Sequence, residues 1–67
     1  MNAYRVQIDY QGYFQGEATL FTAVETLKGL DADRVVADLK GIISRQYENE
    51  HLPLPVFGNY HSMEVSP

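Results

Sequence analysis

The residues predict a small single α+β domain, an antiparallel β-hairpin packed on one α-helix. The order is ββα, or ββαβ if the C-terminal segment closes as a third strand. Three observations carry that expectation: strict alternation over residues 4–10, a second β-forming segment beyond a Gly-containing reversal, and one apolar stripe at helical spacing after Asp31. With 67 residues the chain, numbered 1–67, has room for one domain. A fold of this size buries only about 60% of its unfolded surface, so a partner or self-association would help to hold it.

Tyr4, Val6, Ile8 and Tyr10 fall on one face and Arg5, Gln7 and Asp9 on the other, which predicts a strand over about residues 3–10 with one buried side. Gly12 and Gly16 can supply the positive φ of a reversal, so a hairpin connection is expected within residues 11–16, with Tyr13 and Phe14 at its tip. In 17–28, Ala18, Leu20, Thr22, Val24 and Thr26 share a face as a strand, whereas Leu20, Val24 and Leu27 would align as a helix. Phe21 and the β-branched Thr19, Thr22 and Thr26 favour the strand, which also gives the first strand a neighbour.

A helix is predicted over residues 31–50. Asp31 is its N-cap, and Leu30 is placed to staple onto Val35. Val35, Val36, Leu39, Ile42, Ile43 and Tyr47 form its apolar stripe, and Asp31 and Asp33 suit the positive end of its dipole. Gly41 in its interior suggests a close approach by another backbone. Leu52, Pro53, Leu54 and Pro55 then exclude helix and central strand. Residues 52–67 are therefore expected as a Pro-rich extended C-terminal tail across the edge of the core. A short strand over 60–65, with His61, Met63 and Val65 on one face, is the other ending.

Nine Asp and Glu stand against five Lys and Arg, giving a net charge of −4 and a pI near 4.8. The five cations do not cluster, so direct nucleic-acid binding through phosphates is not expected. No apolar run exceeds the three residues 35–37 and no basic-then-apolar leader opens the chain, which points to a cytoplasmic protein without membrane attachment. The lack of cysteine removes disulfides, thiol nucleophiles and cysteine metal sites.

Catalysis finds little support. His51 and His61, even with Glu48 and Glu50, match no compact metal spacing. Ser44 and Ser62 lack a nucleophile elbow, and Gly12 and Gly16 do not frame a phosphate loop. A chain this short struggles to enclose a pocket of about 300 Å³ beside a core. No cofactor and no metal is expected, and the protein reads as a non-enzyme.

The candidate partner-binding residues are of two kinds. Tyr13 and Phe14 offer amphipathic aromatic surface of the sort that anchors interfaces. Asp31, Asp38, Glu48 and Glu50, joined by Asp9, Glu17 and Glu25 from the sheet, could present negative charge to a basic groove. In size, acidity, absence of cysteine and its lone helix beside the 4–10 strand, the chain resembles small phage anti-defence proteins, including the anti-CRISPR inhibitors. That resemblance implies stoichiometric inhibition of a nucleic-acid-handling protein complex by an acidic nucleic-acid mimic, acting in the host cytoplasm as a monomer or homodimer. The opening Tyr4-Arg5-Val6 is also similar to antitoxin partners of small RNA-cutting toxins, though without the Gly-Cys stretch of that group. The alternative function is accordingly a regulatory or assembly module acting through self-association.

Overall fold

The alternation that starts at Tyr4 runs well past Tyr10. In the computed structural model, which describes residues 1–66, β1 spans Asn2–Phe14 and β2 spans Glu17–Gly29. They pair antiparallel without interruption from Asn2 opposite Gly29 to Phe14 opposite Glu17. The reversal is confined to Gln15 and Gly16, with φ of 52° and 81°. Two positive φ values are the mark of a type I′ turn, whose twist matches that of the flanking strands. Tyr13 and Phe14 therefore end β1 instead of forming the loop. Gly12 suggested an earlier turn, but it sits inside the strand because a Cβ there would overlap the Tyr47 side chain.

Helix α1 spans Ala32–Asn49 and begins as its capping chemistry requires: the Arg34 backbone N–H donates to Asp31 Oδ1 at 2.8 Å. Val35, Val36, Leu39, Ile43 and Tyr47 are buried, while Ile42 at the margin of the stripe is exposed. The expected Leu30 staple is not formed, since Leu30 is exposed. Gly29 meets Val35 instead, so closely that a Cβ on Gly29 would lie 2.6 Å from Val35 Cγ2. Gly41 admits no neighbouring backbone: the nearest atom to its notional Cβ is Arg45 Nη2 at 4.0 Å.

The helix ends in a Schellman motif. His51 adopts φ 58° and donates its N–H to Glu48 O at 3.1 Å, while Leu52 N–H donates to Tyr47 O at 3.0 Å. Leu52 then packs on the core.

The predicted Pro-rich tail is replaced by a third strand, β3, spanning Val56–Ser66. The prolines occupy the short connection before it, where no ladder donor is needed. Pro67 lies outside the described residues. β3 pairs antiparallel with β1, giving the order β2-β1-β3. Its register with β1 shifts between Ile8 and Tyr10, which face Tyr60 and Phe57. That extra residue at Gly58 and Asn59 is a bulge, and it keeps both rings on the helix side. Lys40 Nζ confirms this, lying 5.7 Å from the Phe57 ring centre and 5.5 Å from that of Tyr60.

The core forms where α1 crosses one face of the sheet, with Val6, Ile8 and Val35 fully buried and Tyr4, Val36, Leu39, Ile43 and Tyr47 around them. No helix among the described residues is long and apolar enough to cross a membrane.

Candidate functional site

Two contacts fix how the helix lies along the sheet. Val35, in its first turns, meets Gly29 at one end of the hairpin, and Tyr47, near its last turn, crosses Gly12 toward the other. The C-terminal turn of α1 therefore sits at the end from which the β1–β2 reversal projects. Phe14, 59% exposed, stands at that end beside the turn, and exposed Glu17 opens β2 opposite it. Tyr13 is half-buried and packs against the core, so it supports the hairpin more than it presents a free ring.

An aromatic cluster braces this end from within. Tyr10 stacks on Phe21 with ring centres 5.4 Å apart, meets Tyr47 edge-on at 6.2 Å and Phe57 at 6.0 Å. Burial pushes the Tyr10 hydroxyl above its ordinary value, and the neighbouring Tyr47 hydroxyl adds to the shift. These contacts hold rigid the root of the hairpin that carries Phe14.

The predicted acidic residues divide between the two ends of the helix. Asp31 caps the N-terminus, where its carboxylate is engaged by the Arg34 amide. Glu48 and Glu50 lie at the opposite terminus, about 27 Å away at 1.5 Å per residue over 18 residues. Asp38, between them, shares the solvent side with Arg34 and Arg45, which break the negative charge there. Of the six predicted residues, Tyr13 and Phe14 lie at the hairpin end of β1, Glu48 and Glu50 at the helix terminus that points toward it, and Asp31 and Asp38 lie apart from them.

The C-terminus of the helix carries negative charge of its own. The last helical turn contains no basic residue, so Glu48 and the C-cap Glu50 add their charge to the negative pole of the helix dipole. The sequence shows these carboxylates, but not that the helix would run toward the hairpin end that carries Phe14. Tyr47 facing Gly12 sets that placement, and a glycine at an inward-facing strand position was the available signal.

Concave features lie elsewhere, across the helix-free face of the sheet. A hollow of about 210 Å³ lies among Asp9, Gln11, Leu20 and Val56, and a smaller one of about 130 Å³ among Gln7, Asp9, Asn59 and His61. Both fall below the usual volume of a small-molecule site. Asp9 accepts a hydrogen bond from Thr22 Oγ1 at 2.8 Å between them. His51 serves the helix terminus and His61 lies in β3, and among the described residues no three His, Asp or Glu side chains converge to hold a cation. The chain matches no protein-family model, no curated protein and no solved structure.

Proposed function

We propose that this protein is a non-enzymatic binding protein whose hairpin end docks on the basic surface of a nucleic-acid-handling protein and blocks it. The observation that carries the reading is an exposed aromatic, Phe14, at the hairpin end toward which the helix runs, the last helical turn holding no basic residue. Phe14 supplies an anchor that desolvates readily, braced by Tyr13, and Glu48, Glu50 and Glu17 supply charge that steers a cationic groove toward it. Asp31 and Asp38 extend the negative field along the helix at longer range.

Carboxylates at a helix C-terminus oppose the dipole and cost about 0.3–1 kcal/mol each. Their position is costly to the fold and useful to an encounter with cations. Stability and binding should therefore respond in opposite directions to Glu48→Lys plus Glu50→Lys. The test is capture from host lysate by wild type, by that double variant and by Phe14→Ala. Expected is a partner lost at high salt and lost with either variant, and whose nucleic-acid binding the wild-type chain displaces. Capture of the same partner by all three proteins at high salt would overturn the reading.

A further inference from the structure

The sheet has one face under the helix and one face open. An open antiparallel face in contact with water is usually polar. Here both flanking strands carry large apolar side chains outward: Leu20 (82% exposed) and Val24 (51%) on β2, Val56 (66%) and Met63 (49%) on β3. Register places them together, since Leu20 and Val56 both flank Gln11, Val24 flanks Gln7, and Met63 flanks Arg5. Between these apolar margins runs the outward row of β1: Arg5, Gln7, Asp9 and Gln11.

That row is self-complementary. Arg5 and Asp9 carry opposite charges two positions either side of Gln7, so a twofold axis through Gln7 sets Arg5 of one copy over Asp9 of the other, twice. The same operation lays Val24 and His61 each over its own counterpart and sets Leu20 over the aliphatic stem of Lys28. Sheets packed face to face in this way fill the roughly 10 Å between them with the side chains of both. Three strands of 11 to 13 residues give each copy an open face of roughly 600 Å² at strand spacing, toward the ~800 Å² per partner of a standard interface.

The geometry points to a second copy of this chain as the occupant of the open face, forming a twofold sandwich with the two helices outside. The dimer would cover the exposed apolar margins and thicken a core whose largest fully buried side chains, among the described residues, are Val6, Ile8 and Val35. It leaves both hairpin ends free, so it is independent of the docking surface proposed above.

Sedimentation equilibrium from micromolar to millimolar concentration tests it, with circular dichroism to confirm folding. Wild type should approach the dimer mass. Arg5→Asp and Asp9→Arg should each be monomeric, because each places like charges across the axis, and the double exchange Arg5→Asp/Asp9→Arg should restore the dimer. Val24→Lys, which leaves the Thr22–Asp9 hydrogen bond intact, should also be monomeric. A wild type that stays monomeric to millimolar concentration would overturn the proposal. So would a dimer indifferent to the single charge changes, as edge-to-edge strand pairing would give, or a folded double exchange that fails to associate. Phe14→Ala should leave the dimer mass unchanged, which separates failure here from failure of the hairpin-end reading.

Discussion

Gly12 and Gly41 both interrupt regular elements, and the space around each gives them opposite meanings. At Gly12 a methyl group would meet the Tyr47 ring, and overpacking of that kind costs about 1–3 kcal/mol. Gly12→Ala should lower the denaturation midpoint accordingly. At Gly41 a Cβ finds no close neighbour, so Gly41→Ala should raise stability by about 1 kcal/mol through helix propensity alone. His51 belongs with them: its φ of 58° suits glycine, and His51→Gly should stabilise the Schellman terminus by about 0.5–1 kcal/mol in urea melts. Tyr10 adds a pH dependence. Its hydroxyl is raised in the fold by burial, so the folded state holds that proton more tightly than the unfolded chain. The resulting stability is present below the unfolded value near pH 10 and is lost as pH rises through the folded value. Alkaline melts of Tyr10→Phe should lack that part of the decline.

Strand β1 and the start of α1 were legible in the sequence because their signals are local: a period of two, and a carboxylate at the N-cap. Strand β3 was legible only in part. Pro53 and Pro55 dominate any window that includes them, yet they stop one residue short of the strand. The Gly58-Asn59 pair reads as a turn, whereas it forms a bulge that only pairing with β1 makes sense of. Phe57 and Tyr60 share the helix side because of that bulge, three positions apart where a regular strand would separate them. The hairpin tip was misplaced for a similar reason, since Gly12 answers to Tyr47, 35 positions later in the chain. If β3 is part of the domain and not a tail, truncation after Pro55 should abolish the cooperative thermal transition. It uncovers β1 along its length and removes Phe57 from the aromatic cluster. A chain that still unfolded cooperatively without β3 would contradict this architecture.

At the scale of the molecule, composition conveyed the sign of the charge but not its distribution. The carboxylates expected on one surface are split between the helix termini, because the apolar stripe that orients α1 leaves Arg34 and Arg45 on the solvent side with Asp38. What remains is a polar object: a hairpin end that exposes Phe14, and a helix running toward it whose last turn holds no basic residue. The central claim is that this hairpin end meets a cationic partner. Its most direct test is the association rate with the captured partner, measured across ionic strength for wild type and for Glu48→Lys/Glu50→Lys. The wild-type rate should fall steeply with salt and the variant should start at least about tenfold lower with a shallow dependence, while the variant melts higher than wild type. Equal rates and equal salt slopes for the two proteins would contradict the account.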